Sequence, residues 1–222
     1  PLDYHRWNRS EHHLARRDLP ILLIESKAEK LPMKWRKVPS IENLNICQIP
    51  VTVEQYEQFV NDGGYEIERF WQKQHWAWIK STNRQSPRSW NKVGTWAITF
   101  LLRRVPTASV PNYPVTGISL AEALAFAAYT EERLTGEING KISVPTSQQW
   151  SAAASGAEEA SLSSALPLFE EDGILEIRPL QEKINFLGNS WEWTCSTIGD
   201  ELSDDGGGKE EYILKGGSVL TS

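Results

Sequence analysis

Cysteine is scarce: Cys47 and Cys195 are the only two in 222 residues. That is too few for a disulfide framework, and their spacing fits no metal-binding motif. Cys47 stands in an apolar run and reads as a buried thiol. Neither cysteine has a His or Lys nearby in sequence to activate it, although Cys195 follows the stretch discussed next. Long apolar runs are also missing. The best, Leu19 to Ile24, is strand-sized, against the ~20 residues of a membrane helix, so no membrane span is expected. Positive charge is not in excess: the net charge is −6 and the pI near 5.4. No nucleic-acid footprint is expected, and Arg16-Arg17 and Arg103-Arg104 each sit beside apolar sequence. Only four histidines occur. His12 and His13 are adjacent, so a helix would point them about 100° apart, and with His5 they read as a solvated face. Gly-x-Ser-x-Gly and His-Glu-x-x-His motifs are absent, and Gly206-Gly207-Gly208 lacks the Lys-Ser/Thr of a phosphate loop. Glu131-Glu132, Glu158-Glu159 and Glu170-Glu171 are adjacent pairs whose side chains diverge on a helix, which makes them poor acid/base partners. The first residues are polar and aromatic, without a signal-peptide core, and the expected location is cytoplasmic. Pro1 in place of Met raises the expectation of an upstream piece.

Tryptophan, by contrast, is abundant, with ten residues. Such rings fill the interior of a fold poor in regular structure, or line a groove. Two of them flank a glutamate in Asn185-Phe186-Leu187-Gly188-Asn189-Ser190-Trp191-Glu192-Trp193-Thr194. Gly188 and Asn189 tolerate positive φ, so a tight turn is expected before the pair. Alternation puts Trp191 and Trp193 on one face and Glu192 on the other. The expected picture is a loop that buries two rings and aims one carboxylate elsewhere. A buried carboxylate needs hydrogen-bond donors or a cation. Two readings stay open: a structural corner in which Glu192 accepts backbone N–H bonds, or a hard cation such as calcium held by carbonyls and Glu192.

Residues 1–40 read as an N-terminal arm or extension, and 41–222 as one domain. A strand through Leu44 and Ile46 ends at Pro50. Thr52-Val53-Glu54-Gln55 is a capping box. It opens a helix with Val53, Tyr56, Phe59 and Val60 on one face, stopped at Asp62-Gly63-Gly64. Residues 65–113 carry Phe70, Trp71, Trp76, Trp78, Trp90 and Trp96 without a clear period and read as loop-rich. Thr95 to Val105 is the exception, a strand or short helix. Ser119-Leu120-Ala121-Glu122 opens a second helix, with Leu120, Ala123, Leu124, Ala127 and Ala128 inward. Lys141 to Val144 predicts a strand, and Thr146-Ser147-Gln148-Gln149 a third capped helix with Trp150 and Ala153 on one side. Residues 157–183 read as a surface excursion, and Tyr212 to Lys215 as a strand.

The order of these motifs resembles one family. Its first piece is Ile49-Pro50-Val51-Thr52 before Tyr56, Phe59 and Gly63-Gly64-Tyr65. The second is Pro114-Val115-Thr116-Gly117-Ile118-Ser119 before Glu122-Ala123. The third is Val144-Pro145-Thr146 with Gln149-Trp150 and Ala152-Ala153-Ala154. Gly188-Asn189-Ser190-Trp191-Glu192-Trp193 and Leu214-Lys215-Gly216-Gly217-Ser218 complete it. Together they resemble the formylglycine-generating enzyme, or sulfatase-modifying factor, family. Gly64-Tyr65, Phe70-Trp71 and Trp76-Ala77-Trp78 are also similar to bacterial members that include the second domain of ergothioneine-type sulfoxide synthases.

The resemblance implies an α+β, variant C-type-lectin-like fold over roughly residues 40–222, with little regular structure and a Trp-rich core. It implies a structural calcium site at Gly188, Asn189, Ser190 and Glu192, with Trp191, Trp193 and Thr221 as candidate ligand-binding residues. The oxidase branch holds copper through two cysteines just beyond the Gly-Gly-Ser motif. Thr221 stands at the first of these positions, and a hydroxyl that stays protonated cannot replace a thiolate. The sulfoxide-synthase branch adds a helical domain with a three-histidine iron site, whose spacing His5, His12 and His13 do not match. Copper and iron are therefore not expected in residues 1–222, and no catalytic residue is assigned. The leading expectation is a non-catalytic, pseudoenzyme-like module that binds a ligand or protein. Its alternatives are a fragment or subunit of a formylglycine-generating or sulfoxide-synthase-like oxidase, and a display scaffold of a retroelement-diversified protein. Family domains carry further strands after Gly-Gly-Ser, which 41–222 is expected to lack; either the sequence is cut there, or a second chain completes that edge as a partner.

Overall fold

The computed structural model describes residues 33–94, 98–100, 103–136, 140–155, 190–198 and 211–216. The expected strand at Leu19 to Ile24 and the excursion at 157–183 lie outside them. Within them the chain runs β1 (Trp35–Lys37), β2 (Asn45–Cys47), α1 (Val53–Asn61), α2 (Lys73–Thr82), β3 (Ile98–Phe100), β4 (Arg103–Val105), α3 (Leu120–Arg133), α4 (Ser147–Ser155), β5 (Glu192–Thr197) and β6 (Tyr212–Lys215). The strands form three antiparallel pairs, β1–β2, β3–β4 and β5–β6. Residues 33–40, read from sequence as arm, pack into the fold: Met33 and Val38 are buried, and Arg36 pairs with Ile46 in the β1–β2 ladder.

The three capping boxes set where the helices begin. Thr52 accepts from the Gln55 N–H while the Gln55 side chain accepts from the Thr52 N–H. Ser119 and Glu122 make the same exchange, as do Thr146 and Gln149. Each satisfies two helix-end donors at once. The starts of α1 and α3 are then tied together. Val53 N–H donates to Tyr113 O at 2.8 Å and Val115 N–H to Val51 O at 2.9 Å, with an antiparallel bridge between Thr52 and Pro114.

Aromatic rings fill the space between α1 and α3. Tyr56 stacks on Phe126 with centroids 5.1 Å apart, and Phe59 meets Tyr65, Phe70, Trp71, Phe126 and Tyr129. Gly64 passes so close to the Phe59 ring that a Cβ there would enter it. Trp71, Trp90, Trp150 and Trp193 are buried. The large rings pack the interior where regular structure is sparse.

Three expectations need correction. The 65–113 region contains a full helix, α2. Only His75 and Ile79, one turn apart, are buried on it. Trp76 and Trp78 are half-buried on other sides, which blurs the period. Helix α3 is buried nearly all round: Ala121, Glu122, Ala125, Phe126 and Tyr129 join the inward set, while Leu124 and Ala128 are only half-buried. Lys141 to Val144 forms no strand: Ser143 makes only an isolated bridge, and Ile142 and Val144 are buried. Within the stretch Thr95 to Val105, the described residues are the antiparallel pair β3–β4, with Ile98 opposite Val105.

Candidate site at the Trp-Glu-Trp strand

Trp191-Glu192-Trp193 enters β5 rather than remaining a loop. Glu192 pairs with Lys215 and Trp193 with Leu214, and the register is irregular between Trp193 and Thr197. Thr194 Oγ1 donates to Ile213 O at 2.6 Å, fastening the pair from its side chain. Helix α4 packs on β5, and Cys195 N–H donates to Pro145 O at 2.9 Å just before that helix. Both faces of the strand's start are covered: Ser190, Glu192, Trp193 and Thr194 are buried, and Trp191 is half-buried. Alternation therefore sends Glu192 to a second interior face.

Glu192 is 2% exposed, and its Oε2 accepts from the Trp150 indole N–H at 2.8 Å. The donor differs from the backbone N–H expected of a structural corner. Burial pushes the carboxyl up to about 8, and the Trp150 N–H only partly offsets this. A buried carboxyl with this environment gains from a nearby cation, which favours its charged form. Among the described residues no three His, Cys, Asp or Glu come together. The oxygen-bearing side chains described at this point are the Glu192 carboxyl and the buried Ser190. Gly188, Asn189 and Thr221 lie outside the described residues. Trp193 donates its indole N–H to Ile118 O at 3.3 Å, so its polar end is engaged in the core. Trp191, just before the strand, is half-buried.

A second constellation lies behind Ile118. Glu122 is fully buried. Its Oε1 accepts from Tyr65 Oη at 2.5 Å and Arg84 Nε at 2.7 Å. Its Oε2 accepts from the Ser119 N–H at 2.7 Å and the Ser119 hydroxyl at 2.8 Å. Tyr65 spends its only proton on Glu122, so Tyr56, 3.1 Å away, is the donor between the two phenols. Burial first, and the Glu122 charge second, raise both phenols well above their usual range. Arg84 also donates from Nη2 to Gly117 O at 2.6 Å. In sequence, Glu122 carries a capping role and, like Tyr65, a place in the family motifs, but nothing that brings the two together. Arg84 carries no local signal, because its partner is 38 residues away.

Residues 23–165 match the sulfatase-modifying factor enzyme 1-like domain, more than half of the chain. The chain belongs to that family. With it comes the C-type-lectin-like fold, in keeping with the small sheets and the aromatic interior. The chain is 32% identical over 101 residues to the hercynine oxygenase of Mycolicibacterium smegmatis, covering 46% of this chain and 23% of that protein. Its identity to the hercynine oxygenase of Mycolicibacterium thermoresistibile is also 32% over 101 residues, covering 46% and 22%. With the hercynine oxygenase of Mycobacterium tuberculosis it is 24% over 181 residues, covering 72% and 39%. The chain thus spans less than half the length of the relatives it matches. No helix among the described residues is long and apolar enough to cross a membrane.

Proposed function

We propose that this chain is a non-catalytic binding domain of the sulfatase-modifying-factor family, with a structural calcium beside Glu192 and a ligand or protein partner recognised near Trp191. The observation that carries this reading is the use to which its buried carboxyls are put. Glu122 is enclosed by Tyr65, Arg84 and Ser119, and Glu192 is held by Trp150. Both serve the scaffold, and Trp191 is left half-buried at the strand's edge. Bound calcium would neutralise the buried carboxylate, with Glu192, Ser190 and the carbonyls of Gly188 and Asn189 as its holders. Thr221 occupies a position that the oxidase branch gives to a thiolate.

A second reading is favoured by one observation: all three relatives are named hercynine oxygenase. In it, this chain is the sulfatase-modifying-factor part of a sulfoxide-synthase-like oxygenase, and an iron-bearing part lies elsewhere in a longer protein.

One experiment tests the non-catalytic reading on this chain, and its repetition on a longer protein carrying an iron-bearing part separates the two readings. The purified chain is mixed with air-saturated buffer, hercynine, cysteine and iron(II), and separately with copper and a cysteine-containing sulfatase peptide. The binding-domain reading expects no oxygen uptake above the protein-free control in either mixture. A sulfur adduct of hercynine supports the oxygenase reading, and conversion of the peptide cysteine to an aldehyde marks a formylglycine-generating enzyme. Either product overturns the non-catalytic reading.

A further inference from the structure

Gly117, Ile118 and Ser119 are gripped one after another. Gly117 O accepts from Arg84 Nη2 at 2.6 Å and from the Arg88 N–H at 2.9 Å. Ile118 O accepts from the Trp193 indole at 3.3 Å. Ser119 N–H donates to Glu122 at 2.7 Å. Arg84 closes the circuit, because its Nε is on Glu122 and its Nη2 is on Gly117. One guanidinium thus holds Gly117 directly and Ser119 through Glu122, on either side of the carbonyl that accepts from Trp193. Gly117 has φ of +71°, and a Cβ there would lie 2.5 Å from Arg88 O, so the turn has little room to shift. Trp193 in turn adjoins Glu192, whose carboxyl is pinned from the other side by Trp150.

We infer that Arg84 is a positioning residue for the Glu192–Trp193 strand, acting through the Gly117–Ser119 turn. Arg84 follows α2 and has no direct hydrogen bond to β5 among those described. Its reach is through geometry: a planar fork fixes two acceptors relative to each other, which a lysine ammonium does not. Moving Gly117 O relative to Glu122 tilts Ile118 O, and the Trp193 indole follows its acceptor. The calcium part of this inference rests on the function proposed above, whereas the positioning part does not.

The test uses the whole chain with 15N-labelled tryptophan. The indole N–H signals of Trp193 and Trp150 are assigned by their loss in Trp193→Phe and Trp150→Phe. Arg84→Lys keeps the charge and removes the fork, and is expected to shift the Trp193 signal most and the Trp150 signal less. Tyr129→Phe is the control. It removes a hydrogen bond from α3 to Asp62, just past the end of α1, and is expected to leave both signals in place. Calcium alone is then titrated. Arg84→Lys is expected to weaken its midpoint on the order of tenfold, as loss of an outer support does at metal sites. If the wild type binds no calcium but the indole signals still move in Arg84→Lys, the positioning role stands and the calcium reading falls. Unmoved signals in Arg84→Lys overturn the inference, and so do equal movements in Tyr129→Phe. If Arg84→Lys does not fold, Glu122→Gln is read in the same way, since it removes the charge that holds the guanidinium.

Discussion

Arg84 and Glu122 form an ion pair at 2.7 Å, with side chains 11% and 0% exposed. Neither end of this pair is solvated, so cutting one partner leaves a charge buried and uncompensated. Arg84→Met is expected to destabilise the fold by about 3–5 kcal/mol. The double variant Arg84→Met/Glu122→Gln removes both charges and is expected to recover part of that loss. A denaturant-melt double-mutant cycle measures the coupling. Additive losses would show that the two side chains do not share one interaction.

The turn beside them predicts a backbone effect. Gly117 is left-handed, and its missing Cβ faces Arg88 O at 2.5 Å. Gly117→Ala therefore meets two penalties, an unfavourable φ for an L-residue and a clash with backbone. The φ penalty alone is roughly 1–2 kcal/mol. Gly136 has φ of +85° but nothing within 4 Å of its Cβ position. Gly136→Ala should carry the first penalty without the second. Thermal melts of both variants decide this: Gly117→Ala should fall clearly further.

Much of this was legible in sequence wherever the signal is local. The three capping boxes lie within four-residue windows, and all three close as read. Helix α2 was not legible, since its buried stripe is only His75 and Ile79, with tryptophans on either side. The candidate site divides in the same way. Glu192 stood out because two rings flank it. Its donor, Trp150, lies 42 residues earlier, and neither its helix face nor the Gln149-Trp150 motif points to Glu192. Arg84 was invisible because nothing near it in sequence announces a buried carboxylate. Local chemistry fixes helix starts, whereas the partners of buried charges are set by tertiary packing.

His75 gives a pH prediction with a definite sign. It is buried on α2, and burial lowers its pKa below the usual 6.5. The unfolded ring therefore takes up its proton first. Its contribution to stability is fully present above about pH 6.5 and is lost as pH falls toward the folded value. Glu192 runs the other way, since its folded value is raised to about 8 from 4.5. The clean readout is thus a difference between proteins. The stability of wild type minus that of His75→Leu should fall as pH goes from about 7.5 to about 5.5. A difference that is flat or rises with acidity would show that the ring is not held neutral by its surroundings.

Calcium should stabilise the chain through Glu192. The carboxyl is 2% exposed, its Oε2 takes an indole N–H, and burial disfavours its charge. A cation bound there favours the carboxylate, so binding to the folded state raises the melting temperature by mass action. At a free calcium concentration about a hundredfold above Kd the gain is about 2.7 kcal/mol. Glu192→Gln keeps the shape and lets the side chain still accept from Trp150, but it offers no charge. It should melt close to the calcium-free wild type and gain nothing from added calcium. Trp150→Phe removes the competing donor while keeping the carboxylate, and should still respond. The comparison is made by differential scanning fluorimetry in chelator and in excess calcium, with magnesium as the control. Equal calcium shifts in wild type and Glu192→Gln would place any bound ion away from this carboxylate.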